Sequence, residues 1–168
     1  MSLKSAWLDT PLGSMLAISD TERLYLLDFV ESKGLEYKIK RLKINTKSAI
    51  TEDRTRPIIS IEEELKSYFS GTLQKFNTPI YLLGSEFQKL VWQELMNVPY
   101  GETRSYFTQA KLIGMERSYR AVANANGANK FAIIIPCHRI INNNGKLGGY
   151  GSGLDRKKWL IEHERQKY

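Results

Sequence analysis

The only cysteine in the chain, Cys137, is followed directly by His138 and Arg139. A thiolate is the reactive form of cysteine, and a nearby imidazole or cation favours it. Two readings stand side by side: a small buried hydrophobe, or a nucleophile with its base. Residues 131–135 read as a short buried strand that delivers Pro136-Cys137-His138-Arg139. Successive side chains of a strand point to opposite faces. A Cys137–His138 contact therefore needs a turn after Pro136 or a bridging water, and a proline there suits a departure from regular strand. Glu164 is the third ionisable group. It follows Leu160 by four residues and Ile161 by three in a helix predicted from Leu154 to Gln166, so it falls on the apolar stripe. A carboxylate in that position is costly without a partner. His138 is the candidate, which gives a Cys–His–Glu relay of nucleophile, base and orienting acid. The alternative leaves Glu164 exposed in a fraying last turn. His163 falls off the stripe and reads as a surface residue.

The elements that must position these residues form two halves, 1–83 and 84–168. In the first, Leu16 and Ile18, a turn at 20–22 and the run Leu24 to Phe29 predict a hairpin. Another strand is expected around Tyr37 to Ile44. Ser60 with Glu63 is a capping-box pattern opening a helix with Ile61, Leu65, Tyr68 and Phe69 on one face, closed by Gly71. Residues 78–84 read as the connection. In the second half, Ser85 with Gln88 caps a helix whose stripe is Phe87, Leu90, Val91, Leu95 and Val98, stopped by Pro99. A helix over 105–113, Gly114, and a helix from 117 or 118 to 126 outline a helix-turn-helix. On the second of these, Ser118, Ala121 and Ala125 lie at helical spacing with Arg120 beside them. Small residues there serve tight packing on a neighbouring helix, or entry into a narrow groove with Arg120 pointing into a duplex. The glycine-rich run 145–153 lacks the layout of a nucleotide-phosphate loop; three readings stay open, a loop whose backbone amides approach a ligand closely, a wing, or an ordinary mobile loop.

Composition bounds the class. The 168 residues carry a formal charge of +7 and are 42% hydrophobic, an ordinary globular make-up with a bias toward polyanionic partners. One cysteine and two histidines exclude an intrachain disulfide and a Cys-rich four-ligand zinc site. No membrane segment or signal peptide is expected, since the longest strongly apolar run, Phe131 to Ile135, is far too short to span a bilayer. A soluble cytoplasmic protein without cofactor or metal is the expectation.

The most specific segments are IPCHRII at 135–141, GKLGGYGSGL at 145–154 and WLIEHE at 159–164. FQKLVWQEL (87–95), VPYGETRSY (98–106), RAVANAN (120–126) and Asn129 support them, as do TPLGSM (10–15) and ELKSYFSG (64–71). With these segments the chain resembles the methylated-DNA–protein-cysteine methyltransferase (O6-alkylguanine-DNA alkyltransferase) family. The resemblance implies an α+β fold: a small N-terminal α/β domain, ribonuclease-H-like, over 1–83, then a helical C-terminal domain with a winged helix-turn-helix over 84–168. It implies irreversible transfer of an alkyl group from O6 of guanine in double-stranded DNA to Cys137, once per monomer, with nucleotide flipping, and makes O4-alkylthymine a further candidate substrate. His138 would take the thiol proton through a water, oriented by Glu164. Tyr106 would contact N3 of the flipped base, and Asn129 would be the hinge before the active-site segment. Arg120 would fill the gap in the duplex, with Ser118, Ala121 and Ala125 lining the helix that enters the minor groove. Tyr150 and the Gly151 amide would line the base site, and the Cys137 and Ile140 carbonyls would accept from the exocyclic amine. The chain departs from the family at Ala123, usually Gly, at Lys130, often Pro, and at Ala132, where some members have Pro; zinc ligands seen in some N-terminal domains have no counterpart. Two other classes use the same residues: a lesion-binding relative, which would lack the acceptor cysteine, and a cysteine hydrolase, which would turn over repeatedly.

Overall fold

The computed structural model describes residues 2–166. The chain is mixed α+β and divides into two compact units, one ending at Leu83 and the other starting at Gly84.

The first unit is a four-stranded sheet with two helices. Strands β1 (Leu3–Thr10), β2 (Gly13–Ser19) and β3 (Leu24–Phe29) form an antiparallel meander. Helix α1 (Leu35–Thr46) then leads to β4 (Ile50–Glu52), which pairs parallel to β1, so the order is β3-β2-β1-β4. The segment expected to be a strand, Tyr37 to Ile44, is thus the middle of a helix. Leu35, Ile39 and Leu42 recur at spacings of four and three and pack on Leu3, Ile18 and Leu26. Helix α2 (Arg56–Phe69) starts four residues before the expected cap. Thr55 accepts from the Ile58 amide at 3.4 Å and Pro57 sits in the first turn. The hydroxyl of Ser60 is instead bonded to that of Thr78 at 2.7 Å. Residues 79–81, expected to be a connection, extend the sheet: the Leu24 amide donates to the Pro79 carbonyl (2.9 Å) and the Tyr81 amide to the Leu24 carbonyl (2.8 Å).

The second unit is helical. Helix α3 (Glu86–Leu95) begins with both halves of the expected capping box: the Gln88 amide reaches Ser85 Oγ at 3.1 Å and the Ser85 amide reaches Gln88 Oε1 at 3.0 Å. Helix α4 (Tyr106–Leu112), capped by Ser105, turns at Gly114, whose φ of +71° suits glycine, into a short 3-10 turn (Glu116–Ser118) and helix α5 (Tyr119–Gly127). Two side-chain contacts fix this pair of helices. Gln109 on α4 and Asn126 on α5 exchange both amide hydrogen bonds, 2.7 and 2.8 Å, in a buried setting. Trp92 on α3 is buried and donates its indole N–H to the Ala125 carbonyl at 2.8 Å. Strands β5 (Arg104–Ser105) and β6 (Ile140–Ile141) pair parallel, and helix α6 (Leu154–Arg165) closes the unit.

Candidate active site

Residues 131–135 are not a strand. They form a turn in which Ile133 takes a φ of +72°, a conformation that β-branched residues avoid. The Asn129 side chain holds it. Its Oδ1 accepts from the Phe131 amide (2.9 Å), and its Nδ2 donates to the carbonyls of Ile135 (2.8 Å) and Phe131 (3.3 Å) and to Cys137 Sγ (3.4 Å). The expected alternation of side chains therefore does not apply. After Pro136, Cys137–Arg139 is a 3-10 turn, where successive side chains fan out about 120° apart. Cys137 is half-buried and faces a cavity of about 730 Å³, while His138 is turned inward and fully buried.

Glu164 lies behind His138, buried on α6. His138 Nε2 is 2.7 Å from Glu164 Oε2. The same carboxylate takes Arg139 Nε on Oε1 at 2.7 Å and Nη2 on Oε2 at 3.1 Å, and Arg139 Nη1 donates to the Val98 carbonyl at 2.7 Å. Burial pushes His138 below the ordinary imidazole value, more strongly than the Glu164 charge raises it. Burial alone would raise Glu164, but His138 and then Arg139 outweigh it and hold the carboxyl well below the usual carboxylate range. A neutral imidazole beside a carboxylate carries its proton on Nε2, which leaves the Nδ1 lone pair as the acceptor. That buried Nδ1 has no hydrogen-bond partner among the described residues.

Lys157 is the residue that sequence reasoning missed. It is fully buried, and its ammonium donates to the Ile140 carbonyl (2.5 Å) and the Gly149 carbonyl (3.1 Å), joining β6 to the glycine-rich loop. Burial lowers its pKa to about 8, opposed by the Cys137 charge. The signal was present: Lys157 precedes Leu160 by three residues and Ile161 by four, on the stripe that singled out Glu164.

The cavity brings together Cys137, Tyr106, Tyr150 and Gly151, with Asn126 and the 142–144 turn at its edge. Tyr106 has a pKa raised by burial and then by the Cys137 charge. Gly148 makes its close approach possible: a Cβ there would lie 2.7 Å from Asn142 Oδ1 and 3.3 Å from the Tyr106 ring, at a φ of +72°. The Ile140 carbonyl, expected to face the base, is the one that holds Lys157. On α5, Arg120 and Ala121 are exposed and Ser118 is half-exposed at its start, but Ala125 is buried. The exposed face beside Arg120 is completed by Asn124 and Gly127 rather than by Ala125. His163 is buried too, stacked on Trp159 with ring centroids 4.7 Å apart. Among the described residues no group of three or more His, Cys, Asp or Glu could hold a metal ion, and no helix is long and apolar enough to cross a membrane.

A methylated-DNA–protein-cysteine methyltransferase of Methanosarcina barkeri is 41% identical to the chain over 157 residues, covering 94% of each. The chain belongs to the methylated-DNA–protein-cysteine methyltransferase family. Membership carries the enzyme class with it. A second relative of the same name, from Mycolicibacterium paratuberculosis, is 49% identical over 114 residues, 68% of this chain and 69% of its own. The family profile described as 6-O-methylguanine DNA methyltransferase, DNA binding domain, matches residues 86–166. Among solved structures, Mycobacterium tuberculosis OGT in complex with DNA superposes with a TM-score of 0.82 at 36% identity, covering 98% of this chain and 93% of that one.

Proposed function

We propose that the protein repairs double-stranded DNA by moving an alkyl group from O6 of guanine irreversibly onto Cys137. The observation that carries this reading is Cys137 on the cavity wall, backed by a buried, neutral His138 that Glu164 holds by the other nitrogen. His138 Nδ1 takes the thiol proton through a water molecule. The thiolate attacks the alkyl carbon, the carbon–O6 bond breaks, and its electron pair passes to the guanine ring. Tyr106 meets that charge with a hydrogen bond or proton at N3, and the Gly151 amide lies near O6. Donors aimed at developing charge are worth most where water is excluded. The products are guanine and an S-alkylcysteine. A thioether has no hydrolytic exit, so one monomer repairs one lesion.

The target oxygen is hidden in the stacked duplex, and extruding the nucleotide costs a few kcal/mol. Exposed Arg120, flanked by Ala121 and Gly127, suits a helix that enters the minor groove and fills the gap. The α4–α5 pair and the following glycine-rich loop are read as a winged helix-turn-helix. The β3-β2-β1-β4 order, with β4 parallel to β1 after α1, supports a ribonuclease-H-like first unit. O4-alkylthymine, with the same alkyl–oxygen linkage, is a second substrate on this reading. The place of action is inside the cell, where the lesions are.

Mass spectrometry after incubation with a duplex containing O6-methylguanine tests the reading. One added methylene on the Cys137 peptide, restored guanine, and no transfer by Cys137→Ala are expected. Turnover well beyond one equivalent overturns it.

A further inference from the structure

We propose that the outer face of α1 is a second binding surface for the DNA phosphate backbone, separate from the α5 face. The inner face of α1 is accounted for by Leu35, Ile39 and Leu42 in the core, and by Lys38, which is bonded at 3.1 Å to the buried Asp28. The outer face is not. Tyr37, Lys40, Arg41 and Ile44 follow at spacings of three and four and continue to Lys47, so they form one stripe. Tyr37 is 68% exposed and Ile44 53%. Lys33, Lys40, Arg41, Lys43 and Lys47 are all exposed, against two exposed carboxylates in the segment, Glu31 and Glu36.

The charge decides the occupant. A second copy of this chain would bring like charges together, whereas a polyanion releases counterions on binding. From Tyr37 to Lys47 the stripe runs for roughly 15 Å at 1.5 Å per residue. About four phosphates of one DNA strand fit along that length at 3.4 Å of axis each. An aromatic and an aliphatic side chain among flexible cations suit contact with deoxyribose, and nothing on the face reads bases. Sequence-independent binding is what a repair protein needs for lesions at arbitrary positions. This inference rests on DNA being the partner, as proposed above.

The test is the affinity of the full chain for unmodified duplex, by fluorescence anisotropy across a salt series. Each phosphate contact contributes about 0.9 to the slope of log K against log salt, or roughly tenfold in affinity at 0.1 M relative to 1 M salt. The triple variant Lys40→Gln, Arg41→Gln, Lys43→Gln should lower the slope by about 2 and the affinity about a hundredfold at 0.1 M salt. Its circular dichroism and its reaction with free O6-methylguanine should match the parent. The control is Lys66→Gln, Lys75→Gln, Lys158→Gln, which removes the same charge from exposed positions elsewhere; it should change the slope by less than half as much. Equal losses in both triples would reduce the effect to net charge and overturn the proposal. An unchanged slope in the α1 triple also overturns it, including when that triple has lost binding to an acidic polypeptide instead. Failure of the parent to bind duplex at all would sink the function proposed above, a different outcome from parent-like binding by the α1 triple.

Discussion

Replacing Glu164 with Gln keeps the side chain's shape and removes its charge. The carboxylate receives three short contacts from buried donors, one from His138 and two from Arg139. The glutamine oxygen can replace one acceptor, but its NH2 then faces the guanidinium or the imidazole. Arg139 is left as a buried cation without its counter-ion, a change that typically costs about 3–5 kcal/mol. That is a large share of the roughly 5–15 kcal/mol of a whole domain. The urea midpoint of the second unit should fall accordingly, followed by tryptophan fluorescence. Alkyl transfer from the free base, measured in native buffer, should slow by about 10²-fold or more, the usual worth of a positioned general base. The acid limb follows from the direction of both shifts. His138 is neutral in the fold and has a depressed pKa, so the unfolded chain takes up its proton first, and stability begins to fall as pH drops below about 6.5. Glu164, also depressed, contributes fully above about 4.5, and its share is lost only as pH falls further. Glu164→Gln should remove the lower part of this acid loss. A variant within about 0.5 kcal/mol of the parent, transferring at the parent rate, would refute both the buried ion pair and the relay; that margin is the ordinary scatter of a surface change.

Three further outcomes are expected. Arg120→Ala should slow repair strongly on duplex DNA and barely change reaction with the free base at one fixed salt concentration; equal losses on both substrates would place Arg120 in the architecture of the active site. Lys157→Met should lose the joint between the Ile140 and Gly149 carbonyls and slow transfer about tenfold or more, on the scale of a lost charged hydrogen bond; the parent rate should also decline above about pH 8 as this ammonium deprotonates, and a pH–rate profile in which the variant keeps that decline would clear Lys157 of it. Asn126→Ala should destabilise by about 1–3 kcal/mol by stranding the buried Gln109 amide, whereas Gln109→Leu with Asn126→Leu should recover most of that, since removing both partners leaves no orphan; urea midpoints of the three proteins decide it.

Short-range signals in the sequence translated well into structure. The Ser85–Gln88 capping box, the β2–β3 hairpin and the stripe of α6 each depend on residues within one or two turns of each other. The misreadings share a cause. In Tyr37-Lys38-Ile39-Lys40 apolar and polar residues alternate, which mimics a strand over four residues. Only the longer recurrence of Leu35, Ile39 and Leu42 shows the helix. Ser60 and Glu63 have the right types for a cap, but Thr55 and Pro57 begin the helix earlier, and Ser60 turns to Thr78, 18 residues away. Phe131 to Ile135 has strand composition throughout. It becomes a turn because the Asn129 side chain takes up its amide and carbonyls, a competition that propensity does not record.

The His138–Glu164 contact was legible for a physical reason, and the reading was incomplete for the same one. A carboxylate on an apolar stripe demands a partner, and His138 was the partner within reason. Had it been the sole one, a buried carboxylate facing an imidazole would favour the imidazolium, and a protonated His138 has no lone pair with which to accept from a thiol. Arg139 resolves this. Its guanidinium grips both oxygens of Glu164, and its charge adds to burial, the largest cause, in disfavouring the imidazolium of His138. The third residue of the Cys137-His138-Arg139 triplet therefore supports the neutral state of the second, after burial, the larger cause. Lys157 is a cation coupled electrostatically to Cys137, whose charge raises the Lys157 pKa against burial. On the function proposed above, that cation favours the thiolate while His138 receives its proton.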